Sequence, residues 1–183
     1  MKYEQKIILK NKKEAFLRNG TSQDGEAALE VFNVTHAQTD YLLSYPDENA
    51  FTPEQESRFL QSKAESSNEI EIIALTDGKI VGMAGFEVKG SCHKVKHRAE
   101  FGVSVLKEYW GLGLGLALTK ACIKCAKAAG YVQLELEVAA ENASAISLYK
   151  KVGFLEYGRN PKGFNSRISG FQEVVYMRLE LQS

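Results

Sequence analysis

The chain has 183 residues, 44% hydrophobic and 25% charged, enough for a continuous apolar core in one domain spanning 1–183. Lysine plus arginine balances aspartate plus glutamate at 23 each, so no net field recruits nucleic acid or an anionic membrane as an obligatory partner. No stretch approaches the roughly 20 apolar residues of a membrane span, and Ile7-Ile8-Leu9 is too short for a signal segment, so a cytoplasmic location is expected.

In chain order, strands over Ile7 to Lys10 and Glu14 to Arg18 flank a turn at Asn11-Lys12-Lys13. Gly20-Thr21-Ser22 then offers hydroxyl caps to a helix whose Ala27, Ala28, Val31, Phe32 and Thr35 recur at helical spacing towards Tyr41, and the run breaks near Pro46. Thr52-Pro53-Glu54-Gln55 is a capping box with proline in the first turn, predicting a helix from Pro53 to Ser66 that carries Phe59 and Leu60 inward. Ile70 to Thr76 and Lys79 to Lys89 are β-rich runs split by Asp77-Gly78, a hairpin signal. Alternation resumes from Arg98 to Val105. A helix from Gly113 to Ala129 follows, closed by Gly130 as the residue just past its end. Tyr131 to Val138 alternates as a strand, a short helix ends in Gly153-Phe154, and two final strands, Leu155 to Lys162 and Gln172 to Leu181, surround a polar loop from Gly163 to Gly170.

Three cysteines, an odd count, argue against a disulfide framework. Cys122 and Cys125 fall inside a helix, where they read as small buried residues. Cys92, His93 and His97 lack the further ligands a zinc site needs and read as loop residues, so no metal is expected. Lys120, Lys124 and Lys127 form a stripe that reads as a solvated helix face.

The informative segment is Trp110-Gly111-Leu112-Gly113-Leu114-Gly115-Leu116, between the strand ending at Val105 and an apolar helix. Glycines let backbone amides approach an anion closely, and the helix start aims its positive dipole end and unpaired N–H groups at the same point. It reads as a pyrophosphate cradle. A dinucleotide fold is the competing reading, with Glu135 or Glu137 as the ribose-binding acid. Its glycine spacing is G-x-G-x-x-G, whereas this chain has G-x-G-x-G, late in the sequence and after antiparallel strands.

The second block, Asn142 to Phe154, follows the pattern Asn-x-x-Ala-x-x-Leu-Tyr-x-x-x-Gly-Phe. Together the two blocks resemble the GNAT superfamily of acyl-CoA-dependent N-acetyltransferases, whose signature Gln/Arg-x-x-Gly-x-Gly/Ala falls on Trp110 to Gly115. Trp110 stands where Gln or Arg is usual. The resemblance implies an α/β (α+β) fold with a mixed, mostly antiparallel central sheet, flanked by helices and splayed at the strand ending near Val105. It implies acetyl-CoA as co-substrate, bound by backbone of Val103, Ser104 and Val105 along the pantetheine arm, by Gly111, Leu112, Gly113, Leu114, Gly115 and Leu116 at the pyrophosphate, and by Asn142. The Val105 amide would polarise the thioester carbonyl, and Tyr149 would protonate the departing thiolate.

Asn142 and Tyr149 lie seven residues apart, about two helical turns, and so share a face. Read without the resemblance, Asn142 is a helix cap and Tyr149 a core aromatic. Glu100 is the first choice of general base, with Glu135, Glu137 and water as competitors and a solvated carboxylate as the plain alternative. The implied acceptor is a primary amine of a small molecule or a protein N-terminus, attacking directly in a ternary complex. By the family pattern its choice rests on His36, Asp40, Asp47 and Glu48 in the first helical region and on Asn165, Ser166 and Arg167 in the late loop, with the acids favouring a cationic amine. Homodimers are common among relatives. The alternative is a non-catalytic acyl-CoA-binding or regulatory module on the same fold.

Overall fold

A computed structural model describes residues 1–181. Eight strands form one sheet in the order β1-β2-β3-β4-β5-β6-β8-β7. They are β1 (Glu4–Ile8), β2 (Glu14–Asn19), β3 (Ile70–Thr76), β4 (Lys79–Val88), β5 (Arg98–Val105), β6 (Gln133–Ala139), β7 (Leu155–Ser166) and β8 (Gly170–Glu180). The helices are α1 (Gly25–Ala37), α2 (Pro53–Glu65), α3 (Leu114–Ala128) and α4 (Ala143–Lys151). None is long and apolar enough to cross a membrane.

The pleat sorts each strand between two layers. On β3, Ile70, Ile72 and Ala74 meet Leu114, Leu118 and Cys122 of α3, while Ile73 faces Ala28 and Val31 of α1 and Leu60 of α2. Cys122 and Cys125 are buried free thiols within the α3 layer, as their helical context suggests. Local signals operate as their chemistry requires. Thr52 Oγ1 accepts from Gln55 N while Gln55 Oε1 accepts from Thr52 N, starting α2, and Asp77 and Gly78 both adopt positive φ, 53° and 77°, to turn β3 into β4.

Every neighbouring pair is antiparallel except β5 and β6. That parallel pair holds for three residues only, Arg98↔Gln133, Ala99↔Leu134 and Glu100↔Glu135. Beyond Glu100, β5 stays with β4 as far as Val105, whereas β6 stays with β8 as far as Ala139, so the sheet splits into a V. The expected mixed, mostly antiparallel sheet with a splay on the strand ending at Val105 is therefore observed.

Two boundaries differ from the sequence reading. α1 stops at Ala37 instead of continuing towards Tyr41. The last hairpin is longer than expected: Phe164↔Gln172, Asn165↔Phe171 and Ser166↔Gly170 extend the ladder through the supposed Gly163 to Gly170 loop, leaving a turn over 167–169. Its polar composition reflects a different job. Ser166 Oγ donates to Asp40, beyond α1, so these strand ends bond to the α1–α2 connection and not to the core.

Candidate active site

A cleft of about 1110 Å³ runs from the glycine segment, through the V, to the sheet face beneath α1 and α2. Backbone parity dictates what its β5 wall offers. Lys89 N donates to Arg98 O and Leu106 N donates to Val81 O, so even-numbered residues of β5 direct N–H and C=O to β4. The peptide groups of Val103 and Val105 consequently point into the gap that β6 has vacated. Ser104, one of the expected backbone contacts, directs its own peptide groups to β4 and contributes a side chain to the cleft lining. Trp110 Nε1 donates to Val105 O at 2.7 Å. The indole thus ties the end of β5 to the glycine loop, a task unrelated to the side-chain role of Gln or Arg. It leaves the Val105 N–H and both polar groups of Val103 for an extended ligand, in the manner of an added strand.

Gly111 and Gly113 have φ of 74° and 94°, where side chains are strained. Gly113 is the N-cap of α3, with no side chain to cap the first turn and no acidic residue in it. The N–H groups of that turn are thus left without a side-chain acceptor and with the positive end of the helix dipole uncompensated. The loop is anchored from outside, because Lys10 N, beyond β1, donates to Leu112 O at 3.1 Å, and from inside by the buried Leu114 side chain. Lys120, Lys124 and Lys127 are exposed and do not line the cleft.

α4 supplies the opposite wall. Asn142 Oδ1 accepts from Ala145 N at 3.1 Å, so Asn142 does cap α4, yet its Nδ2 has no partner among the described residues and faces the cleft. Tyr149 packs edge-on to Phe101, ring centroids 6.3 Å apart at 89°, and against Phe154 at 5.7 Å. Its ring is buried and its hydroxyl, at the cleft, makes no hydrogen bond among the described residues. Burial raises the phenol pKa, so the hydroxyl stays protonated at neutral pH.

Comparison with known proteins agrees with this geometry. Residues 34–154 match the model of the acetyltransferase (GNAT) family. The chain belongs to the GNAT acetyltransferase family. It is 26% identical over 166 residues to the L-amino acid N-acetyltransferase AaaT of Escherichia coli K12, covering 90% of this chain and 96% of that one. Superposed on a GNAT-family acetyltransferase of Streptococcus pneumoniae it gives a TM-score of 0.86 at 28% identity, covering 91% and 99% of the two chains. A phosphinothricin acetyltransferase of Sinorhizobium meliloti, solved in complex with acetyl-CoA, has the same fold, with a TM-score of 0.79 at 17% identity over 91% and 88%. The chain spans about half the length of two curated N-alpha-acetyltransferases it also matches, from Schizosaccharomyces pombe (49%) and Sulfurisphaera tokodaii (55%).

Within this GNAT cleft the acids fall into distinct groups. Glu100 and Glu137 line it, both exposed. Burial, followed by the charge of Glu100, raises the Glu137 pKa. Glu135 is differently placed, with its side chain 2% exposed and engaged by Arg98 and by Lys89 at 3.1 Å. Burial opposes its charge, but those two cations outweigh it and lower its pKa, so this carboxylate is an ion-pair partner and free neither as base nor as ribose ligand.

The residues expected to guide the acceptor do meet, but mainly with one another. Asp40 accepts from Ser166, Ser169, Tyr45 and Gln172, and Arg167 pairs with Asp47 at 2.7 Å and Glu48 at 3.2 Å. These acids pin the last hairpin across the α1–α2 connection. His36 is buried, stacks on Phe32 at 3.7 Å, and has a pKa lowered chiefly by burial.

Glu71 is a lining acid that the sequence reading passed over. Glu71 of β3 lays its carboxyl across Gly85 of β4, so that a β-carbon at Gly85 would fall 1.9 Å from Glu71 Oε2. Burial, then the neighbouring Glu56, pushes the Glu71 pKa up to about 8, against a lowering by Lys63. The only sequence sign is a lone acid in the apolar run Ile70-Glu71-Ile72-Ile73.

Proposed function

We propose that this chain transfers an acetyl group from acetyl-CoA to a primary amine of a small molecule or of a protein N-terminus, by direct attack in a ternary complex. The observation that carries the reading is one cleft with two kinds of approach: the unpaired Val103 peptide groups, the Val105 N–H and the α3 amide cradle in the V, and an open acidic floor under α1 and α2. The amine nitrogen bonds to the thioester carbonyl carbon, the C–S bond breaks, and the thiolate takes a proton. The Val105 N–H stabilises the developing oxyanion, preorganised because β5 and the Trp110 bond hold it still. Tyr149 supplies the proton to the thiolate. Glu100, Glu137 or water takes the proton lost by the amine.

The curated relative with near-complete overlap acts on L-amino acids, which supports an α-amine acceptor. The test compares wild type with Tyr149→Phe in steady-state turnover over an amine panel and in acetyl-CoA-induced thermal stabilisation. Lost turnover with retained stabilisation supports the reading. Stabilisation of wild type without turnover on any amine would instead make the chain an acyl-CoA-binding module.

A further inference from the structure

Four carboxyl groups and one ammonium gather where β3 and β4 meet α2. Lys63 Nζ is taken up by Glu69 at 2.7 Å and Glu87 at 3.1 Å. Glu56 and Glu71 have neither a hydrogen-bond donor nor a cation of their own among the described residues. Glu56 is nine-tenths buried, and Glu71 lines the cleft. Holding an unpaired carboxyl away from water costs stability, so Glu71, without a partner of its own at the wall of the cleft, marks a place where a cation completes the charge balance from outside.

The sheet leads from that place to the transfer point. Glu71 pairs with Gly85, and Gly85 with Gly102, on the α1–α2 face. A β-carbon at Gly85 would collide with the carboxyl, and one at Gly102 would meet no atom within 4 Å, so a lane free of side chains runs from Glu71 to β5. Val105 pairs with Gly82, three residues along β4 from Gly85. One strand spacing and three residue rises put the Glu71 carboxyl roughly 11 Å from the Val105 peptide. That is beyond the roughly 3 Å reach of proton transfer, and it suits a second charge on the same acceptor. Phe32, Phe59 and Met83 line the intervening cleft as apolar walls for a methylene chain.

We infer that Glu71 seats a distal ammonium or guanidinium of the acceptor, so that the amine acetylated at Val105 belongs to a molecule cationic at both ends. This rests on the transferase reading above. The charged groups around Glu71 are consistent with it: α2 presents Glu56 and Lys63, the residue before β3 is Glu69, β4 presents Glu87, and α1 the buried His36, while Glu100 and Glu137 lie further along the same face. Glu71 is a specificity residue in this arrangement and touches no reacting atom.

The experiment pairs acceptors with and without a distal cation, 1,5-diaminopentane against pentylamine and lysinamide against norleucinamide, using wild type and Glu71→Gln. Wild type is expected to show a KM at least about tenfold lower for the dicationic member of a pair, as a charge-assisted contact in a buried setting implies. Glu71→Gln should erase that preference through KM, leaving kcat and the monoamine values within about threefold and leaving acetyl-CoA stabilisation intact as the check of folding. Equal KM values for both members of each pair in wild type, which needs no variant, would overturn the inference while preserving the transferase reading. So would a Glu71→Gln defect confined to kcat. Absence of acetylation of every amine overturns the transferase reading itself, and this inference with it.

Discussion

Two glycines at opposite ends of α3 give a matched perturbation. Gly113 starts the helix with φ of 94°, and Gly130 follows its end with φ of 85°. A β-carbon at either would meet no atom of the protein within 4 Å, so alanine introduces backbone strain alone, worth about 1–2 kcal/mol for a left-handed conformation. In a chain of this size that lowers Tm by roughly 2–8 °C in both variants. Only Gly113 lines the cleft. Its methyl group and any shift of the α3 first turn would disturb one or two charge-assisted N–H contacts to phosphate at about 1.5–3 kcal/mol each, a loss of roughly 10- to 150-fold or more in acetyl-CoA affinity. Thermal denaturation without ligand, followed by titration with acetyl-CoA, separates the two effects. Equal acetyl-CoA affinity in Gly113→Ala and Gly130→Ala would refute the cradle.

Other outcomes follow from individual contacts. Tyr149→Phe should reduce kcat by about 10²-fold or more, the usual worth of a positioned acid, with Tm nearly unchanged, since the lost hydroxyl has no bond within the described protein. Glu135→Ala strands Arg98 and Lys89 around a buried space and should cost on the order of 3 kcal/mol, read by urea denaturation. The folded pKa of Glu71, about 8, lies above that of an unfolded glutamate, so the unliganded protein loses stability from this group as pH rises from about 4.5 to 8. Glu71→Gln should flatten that part of the Tm-versus-pH curve, with Glu56 retaining a smaller slope of the same sign. Trp110→Phe removes the donor to Val105 O and should cost about 0.5–1.5 kcal/mol and raise the acetyl-CoA KM, measured by initial rates.

What could be read from the sequence was local. Asp77-Gly78, the Thr52 box, Gly130 and the Gly111 to Gly115 run each specify backbone geometry within a few residues, and the structure places all of them as those residues require. What could not be read depends on contacts far apart in the chain. Arg167 meets Asp47 across 120 residues, and Ser166 meets Asp40 across 126, so acids that look free in the sequence are spent in the fold. Those same bonds turned an apparent polar loop into strand. Glu71 is hidden for the same reason: its meaning lies in the pairing with Gly85 and in the ammonium of Lys63, which two other carboxylates have already claimed. The family resemblance implies the splay, but where it opens is set by the β5–β6 ladder, which stops at Glu100.

The most direct test of the acyl-CoA cleft is thermal denaturation of the protein with acetyl-CoA, CoA or NAD added separately. A ligand at a hundred times its Kd adds about 2.7 kcal/mol to the folded state, which corresponds to roughly 5–10 °C for a chain of this length. The V and its amide cradle require a rise with acetyl-CoA and with CoA and none with NAD. No rise with either CoA species would contradict the assignment.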